Sequence, residues 1–211
     1  MKSQMATNKI SKKLLKRLPF YLDFLKSLPE DVEYISATTI AKRLELGDVQ
    51  VRKDLALISE TGRQKLGRPR KQLIQDIETY LNLAKKTSAI LVGAGKLGQA
   101  LLEYSGFDEF GMNIVAAFDI QPSGKYPKTE KPIYPMNRLR AFCRTNEVNI
   151  GIITVPAENA QDVCDHMIEC GIQAIWNFAP THLTVPDGVV VQNENLAVSL
   201  TSLRIQMTKE L

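Results

Sequence analysis

The sequence predicts an α/β protein with an N-terminal winged helix-turn-helix domain, a doubly wound parallel sheet and a terminal helix. Helical periodicity and basic charge fill the first third of the chain. A glycine-rich turn then separates an apolar strand from a helix, and further apolar strands alternate with amphipathic helices after it. These observations place a DNA-binding domain with a connecting helix at 1–86, a nucleotide-binding domain at 87–192 and a dimerisation helix at 193–211.

Composition is that of a soluble globular protein, with 44% hydrophobic and 24% charged residues in 211. No apolar run approaches the roughly 18 residues that span a bilayer, and the basic N-terminus lacks the features of a signal peptide. We therefore expect a cytoplasmic protein without a membrane partner. No C-x-x-C pair occurs, so we expect buried, reduced thiols rather than a thiolate with a resolving partner at Cys143, Cys164 and Cys170.

Charge is divided unevenly along the chain. Residues 1–72 contain 16 lysines and arginines against 8 acidic residues, whereas residues 73–211 contain 11 against 15. A basic module joined to an acidic one indicates that the first binds a polyanion. The alternative is a basic face that is merely solvated.

Three helices are predicted in the basic module. Leucines at spacings of three and four predict a helix over about 9–27, which Pro19 interrupts or kinks. A second helix begins after the N-cap Ser36 and stops at Gly47, and Asp48 caps a third. The short glycine-containing turn makes the last two a helix-turn-helix.

The third helix has the pattern of a recognition helix. Val51, Leu55 and Ile58 fall on one inward face. Three other side chains near the N-terminal end of this helix point outward: Gln50, Arg52 and Lys53. A recognition helix contacts base edges and phosphates with side chains in this position.

A basic stretch follows, with five cations in residues 61–71. It resembles the wing of a winged-helix domain, and its Gly-Arg-Pro-Arg run suits an A·T-rich minor groove. The alternative is a flexible basic linker. The predicted DNA contacts of this wing are Arg63, Lys65, Arg68 and Arg70. Residues 71–86 then read as a connecting helix.

The glycine-rich turn follows the apolar run 89–92 and has the G-x-G-x-x-G spacing of a Rossmann dinucleotide site. The first glycine permits the turn, the second admits a pyrophosphate, and the third lets helix and strand pack closely. We expect cofactor contacts from Gly93, Ala94, Gly95, Lys96, Leu97 and Gly98. The alternative is a loop that only joins a strand to a helix.

A second apolar strand, 114–118, ends at Asp119, close to the offset at which an acidic group binds the adenosine ribose. No arginine follows to neutralise a 2′-phosphate, so NAD(H) is favoured over NADP(H) as the cofactor.

Further strands are predicted at 133–134, 148–155 and 173–176, with helices at 137–145 and after Pro156. Ligands of doubly wound sheets lie across the carboxyl ends of the strands. The expected nicotinamide pocket is Thr154, Val155, Pro156, Asn177, Phe178, Ala179 and Pro180. It is apolar and offers little for proton transfer beyond His166 and His182, so we expect no enzyme.

The tail from Asn195 to Met207 predicts a helix with an apolar stripe at Leu196, Leu200, Leu203 and Met207. Such a terminal helix packs on its own domain or inserts into a partner subunit.

Several motifs together closely resemble the Rex family of redox-sensing repressors: residues 16–21, 51–55, the glycine turn with 102–107, 154–157 and 177–180. The resemblance implies a homodimer on a palindromic double-stranded operator. It implies NAD(H) binding, a swapped C-terminal helix, and release of DNA by NADH. It also implies that Tyr104 lies near the nicotinamide and that Arg17 joins a polar network with the C-terminal helix.

The chain departs from this family twice. Asn195 stands where the family usually has an aspartate, and the wing lacks the usual Gly-x-Gly-Tyr segment. Two other hypotheses remain: a winged-helix regulator that senses coenzyme A or ADP-ribose, and an NAD-dependent dehydrogenase with a basic appendage.

Overall fold

The computed structural model describes residues 12–59, 67–122 and 131–209. The chain divides into two compact units, Met1–Lys85 and Lys86–Leu211. None of the helices in the described ranges combines the length and hydropathy that a membrane crossing needs.

The first unit is a winged helix-turn-helix, as predicted. Strands β1 and β2 pair antiparallel, with Ile35 opposite Arg68. Gly67 leads into this pairing at φ +83°, where an added Cβ would overlap the carbonyl of Ile35. The elements are α1 Lys12–Ser27, β1 Tyr34–Ile35, α2 Ala37–Arg43, α3 Asp48–Ile58, β2 Arg68–Pro69 and α4 Arg70–Tyr80.

The core of this unit forms where α1, α3 and α4 bury their apolar stripes. The fully buried side chains of these three helices include Leu18, Leu22, Leu25, Val51, Leu55, Leu73 and Ile77. Pro19 lies inside α1 without ending it, so of the two predicted effects, an interruption or a kink, the interruption is wrong. Proline removes one backbone donor from the helix, and the buried leucines on both sides hold the helix together.

Three predicted boundaries need correction. Ser36 does cap α2, with its Oγ 3.0 Å from the backbone nitrogen of Thr39. However, α2 ends at Arg43 rather than Gly47, because Glu45 adopts φ +54°. The N-cap of α3 is Gly47, so Asp48 is its first residue rather than its cap. The connecting helix α4 likewise ends at Tyr80, short of residue 86.

The second unit is a doubly wound sheet of six parallel strands in the order β5-β4-β3-β6-β7-β8. This order starts at the central strand β3 and winds outward in both directions, as in a Rossmann fold. The elements are β3 Thr87–Val92, α5 Lys96–Glu103, β4 Met112–Asp119, β5 Ile133–Pro135, α6 Leu139–Thr145, β6 Ile150–Ile153, α7 Ala157–Glu169, β7 Ala174–Asn177, β8 Val190–Asn193 and α8 Leu196–Lys209, with 3-10 turns at Ser105–Phe110 and Met136–Arg138.

One face of the sheet is covered by α6 and α7, which bury Leu139 and Met167 against Ile90 and Phe118. The other face is covered in part by α5 and the turn at Ser105–Phe110. This second face is only partly covered because the connection from β7 to β8 contains no helix. The connection instead packs Leu183, Val185 and Val189 on the face that α7 covers. Strand β8 itself was not predicted.

A half-covered apolar surface results, which we call the open face. It borders a cavity of about 370 Å³. The residues of the open face that line this cavity include Phe107, Ile150, Ile152, Ala174, Trp176 and Val190. Helix α8 follows directly, and its predicted stripe is exposed, with Leu200 at 69% and Leu203 at 55%.

Candidate functional site

The glycine-rich turn lies where the ends of β3 and β6 meet the start of α5. Gly93 adopts φ +101°, and an added Cβ would lie 2.8 Å from the carbonyl of Thr154. An added Cβ at Gly98 would overlap the carbonyl oxygen of Gly93. The hydroxyl of Thr154 donates to that same oxygen at 2.7 Å. The first and third glycines are therefore required by packing.

Gly95 differs from these two glycines. It is the N-cap of α5, and an added Cβ would meet nothing within 4 Å. The protein itself does not need a small residue here. The free space lies at a helix N-terminus, whose amide groups and dipole favour a phosphate.

Asp119 is held beside the turn at the end of β4. Its Oδ2 accepts a hydrogen bond from the backbone N–H of Ala94 at 2.7 Å, and its Oδ1 accepts one from Gln121 at 2.8 Å. The carboxylate is thus oriented by two backbone donors at the edge of the sheet.

These groups border a cavity of about 340 Å³, within the size range of small-molecule sites. The predicted residues among its lining are Gly93, Gly95, Asp119, Thr154, Val155 and Pro156. Sequence reasoning missed Val92, Ile120, Met136, Asn159, Asp162 and Val163. Asn159, Asp162 and Val163 follow Pro156 at helical spacing, so these positions in the first two turns of α7 could have been predicted from the sequence.

The other predicted cofactor residues are not among those that line this cavity. Ala94 is in the turn, and Lys96, Leu97 and Gly98 begin α5. Asn177 is fully buried, and its amide donates to Thr181 and Asn193 at 2.9 Å each, which fixes the chain after β7. Phe178, Ala179 and Pro180 follow in that same segment.

Tyr104 begins a row of aromatic rings that leads to the open face. It is 58% exposed, and its ring centroid lies 4.9 Å from that of Phe107. Phe107 in turn lies 5.8 Å from Trp176, which lies 4.5 Å from Phe178. Two residues predicted near a nicotinamide, Tyr104 and Phe178, therefore belong to one row of packed rings.

The predicted DNA contacts occupy three different settings. Gln50, Arg52 and Lys53 are exposed on α3, where Arg52 pairs with Asp48 at 2.9 Å. Arg68 and Arg70 are half-buried at the base of the wing; burial lowers the pKa of Arg68, and Arg70 donates to the carbonyl of Pro29. Arg63 and Lys65 lie outside the described residues.

A buried carboxylate that sequence reasoning did not assign joins α1 to α3. Asp54, 3% exposed, accepts from Arg17 at 2.7 and 2.8 Å, from the Tyr21 hydroxyl at 2.7 Å and from Gln50 at 2.8 Å. The sequence places Asp54 on the same inward face of α3 as Val51 and Leu55, and this position could have indicated a buried carboxylate. We call these four residues the Asp54 network.

The protonation states in the Asp54 network follow from these contacts. Burial by itself would raise the pKa of Asp54, but the hydrogen bonds from Arg17, Tyr21 and Gln50 outweigh it and lower that pKa. Hydrogen bonding to Asp54 raises the pKa of Arg17, and burial together with Asp54 raises the pKa of Tyr21 to about 12. In the Asp54 network, Arg17 and Asp54 are therefore charged and the Tyr21 phenol is neutral.

The remaining residue predicted to act in switching, Asn195, directly precedes α8. Its Oδ1 accepts from the backbone N–H of Val198 at 3.1 Å, so it caps the helix. Arg17, expected in a network with the C-terminal helix, has Asp54 as its ionic partner in this structure.

Two family models match the chain, one for each unit. The model described as "CoA binding domain" matches residues 84–181, and the one described as "Putative DNA-binding protein N-terminus" matches residues 9–56.

Relatives align over nearly the whole chain. The "Redox-sensing transcriptional repressor Rex" of Treponema denticola is 42% identical, covering 92% of this chain and 93% of its own. The protein of that name from Clostridium botulinum strain Alaska E43 is 38% identical, covering 95% and 97%.

Solved structures agree with these relatives. The crystal structure of RSP in complex with β-NAD⁺ and operator DNA superposes with a TM-score of 0.84 at 33% identity, covering 95% of this chain and 94% of that one. RSP in complex with β-NADH gives 0.84 at 32%, covering 96% of each chain.

The packing of the glycine turn predicts that alanine at Gly98 and alanine at Gly95 affect stability unequally. We expect Gly98→Ala to lower the free energy of unfolding by about 1–3 kcal/mol, because its methyl group overlaps a backbone carbonyl. Gly95→Ala enters free space and should change stability by less than about 0.5 kcal/mol. Urea unfolding followed by circular dichroism measures both. Equal effects would show that the turn is packed differently.

The Asp54 network predicts a pH-dependent stability difference. Because the folded pKa of Asp54 is lowered, its ion pair stabilises the fold above the ordinary value of 3.8, and this contribution is lost as pH falls through the folded pKa. We expect Asp54→Asn to cost about 3 kcal/mol at pH 7, and progressively less below pH of about 4.

Asp48→Asn on the same helix is the matched control, since its partly exposed pair should contribute less than about 1 kcal/mol. A difference between wild type and Asp54→Asn that stays constant from pH 7 to 3 would contradict the assignment of this carboxylate.

Proposed function

The chain belongs to the Rex family of redox-sensing transcriptional repressors, and we propose that it represses transcription by binding a palindromic operator as a homodimer that NADH releases. The main support is its alignment, over 95% of its length, with a repressor solved with both β-NAD⁺ and operator DNA. Each unit adds a physical reason of its own.

The cavity beside the glycine turn suits a dinucleotide. The pyrophosphate would lie against the N-terminus of α5 at Gly95, and the adenosine ribose hydroxyls would bind Asp119. The nicotinamide would then extend toward the apolar segment from Thr154 to Pro156, with Tyr104 nearby. A bound nicotinamide supplies two redox states that differ in ring charge and planarity, which the surrounding residues can distinguish.

Coenzyme A is the second nucleotide to consider, because a model for its binding domain matches this unit. Its adenosine carries a ribose phosphate, which would face the Asp119 carboxylate already held by Ala94 and Gln121. Repulsion between these anions disfavours coenzyme A and NADP(H) relative to NAD(H). ADP-ribose contains the adenosine and pyrophosphate of NAD(H), which the cavity favours, but it lacks the nicotinamide ring.

We propose that the nicotinamide is sensed and not turned over. Hydride transfer to a carbonyl needs a positioned proton donor beside the ring. The described lining of the cavity contains neither His166 nor His182. A dehydrogenase would consume NADH in the presence of a carbonyl substrate, and we expect no such consumption.

Dimerisation through α8 accounts for two exposed apolar surfaces together. The stripe on α8 and the open face of the sheet are both left to solvent in one subunit, and large exposed apolar patches mark interaction sites. We propose that each α8 packs on the partner subunit. Such a swapped helix would reach residues that the aromatic row connects to Tyr104.

The recognition helix would be α3, with Arg52, Lys53 and Gln50 toward the major groove and the wing toward the minor groove. Two such helices in a dimer require a palindromic operator with a fixed half-site spacing. Access to chromosomal DNA would place the protein in the cytoplasm.

Operator titrations test the proposal directly. Fluorescence anisotropy of a labelled palindromic operator at fixed salt would be measured with NADH, NAD⁺, coenzyme A and ADP-ribose in turn. We expect NADH to weaken binding by roughly tenfold or more, and NAD⁺ to leave it intact. A response to coenzyme A alone would favour the other nucleotide hypothesis, and no response to any of the four would reject redox sensing.

Gly95→Val should separate the two activities. Its side chain fills the space proposed for the pyrophosphate, so we expect NADH affinity to fall by at least roughly tenfold. Operator binding without nucleotide should be unchanged, and so should stability. Isothermal calorimetry and anisotropy measure the two affinities. Normal NADH binding by the variant would place the pyrophosphate elsewhere.

Lys53→Ala should weaken operator binding and lower the slope of log K against log salt by about one, because one phosphate contact is lost. Lys85→Ala, an exposed lysine after α4, is the matched control and should change neither quantity. An unchanged slope for Lys53→Ala would move the recognition surface away from this position.

Leu203→Asp should convert the dimer to monomers, because a carboxylate would be buried in the proposed α8 interface. Ser202→Asp adds the same charge on the other side of α8 and serves as the control. Light scattering after size exclusion gives the masses. A dimeric Leu203→Asp protein would contradict assembly through this stripe.

A further inference from the structure

Two of the three cysteines lie together where α6 and α7 end. Cys143 lies in the last turns of α6, and Cys170 directly follows α7. Both side chains are half-buried against the same apolar cluster, and the Cys143 thiol interacts with the Cys170 thiol. The sequence, with 26 residues between them, gave no sign of this pairing.

An ion pair fixes the same helix ends. Arg140, one turn before Cys143, pairs with Glu169, the residue before Cys170, at 2.9 Å. Both helices cover one face of the sheet and run opposite to its strands, so their final turns meet at the amino edge. Packing of the two helix ends therefore brings the two cysteines near each other, at the edge of the sheet opposite the nucleotide cavity, and the exposed ion pair spans the same two ends.

Cys164 provides the contrast. It is fully buried within α7, and burial raises its pKa to about 11. A thiol in that setting is shielded from oxidants. The expectation of buried thiols thus holds for Cys164, whereas Cys143 and Cys170 are half-buried neighbours and require a correction.

We propose that Cys143 and Cys170 form a dithiol site that hydroperoxides oxidise reversibly to an intramolecular disulfide. The proposal is independent of the nucleotide function, since it rests on the opposite edge of the sheet. It would give the chain an oxidant-sensitive input that does not pass through the nicotinamide.

The chemistry balances with hydrogen peroxide as the oxidant. Burial and the neighbouring sulfur raise the pKa of Cys143 to about 11. In the proposed step the Cys170 sulfur attacks the peroxide. An S–O bond forms as the O–O bond breaks, giving a sulfenic acid and one water. The Cys143 sulfur then attacks the oxidised sulfur, the S–O bond breaks, and a second water leaves. Two thiols lose two electrons, and the peroxide gains them.

Peptide mapping of the full-length protein tests this step. Reduced protein would be treated with hydrogen peroxide, blocked with N-ethylmaleimide, and digested with trypsin and an endoprotease specific for glutamate. Cleavage after Arg140, Arg144, Glu158 and Glu169 places the three cysteines in separate peptides. We expect a cross-linked Cys143–Cys170 pair that disappears on reduction, with Cys164 unmodified.

Serine variants assign the roles. Cys164→Ser should keep the cross-link, whereas Cys143→Ser should lose it and accumulate a Cys170 sulfenic acid that dimedone traps. The proposal is overturned if peroxide yields only uncoupled sulfinic or sulfonic acids, if the cross-link involves Cys164, or if disulfides form only between molecules.

Discussion

The second unit depends on one crowded point, the carbonyl oxygen of Gly93. It accepts the Thr154 hydroxyl at 2.7 Å, and any side chain at Gly98 would overlap it. This oxygen brings the end of β3, the end of β6 and the start of α5 together, which leaves the space at Gly95 free for a ligand. The shape of the nucleotide cavity is thus a consequence of backbone packing, with side chains such as Asp119 added at its edge.

The first unit has a polar counterpart in the Asp54 network. A carboxylate removed from water requires several donors, and Arg17, Tyr21 and Gln50 provide them from two helices. The contact fixes α3, the proposed recognition helix, against α1 while Arg52 and Lys53 remain on its outer side. Because Gln50 donates to Asp54, this amide serves the interior of the domain as well as its predicted surface role.

Local patterns were sufficient to predict the fold class, most elements and the glycine turn, because periodicity and glycine spacing act within a few residues. Features that depend on distant contacts were not predictable in this way. Arg17 and Tyr21 reach Asp54 from another helix, and Cys143 meets Cys170 only when α6 and α7 pack on one face. The open face arises because the connection from β7 to β8 contains no helix, and Pro19 is tolerated because tertiary packing outweighs local preference.

Coupling between nucleotide and operator is the claim on which the functional account rests, and linkage makes it measurable from either side. The most direct measurement is calorimetric titration of NADH into the protein, alone and with saturating operator. The account predicts that operator weakens NADH binding by the same factor by which NADH weakens operator binding. Identical NADH affinities with and without operator would contradict it.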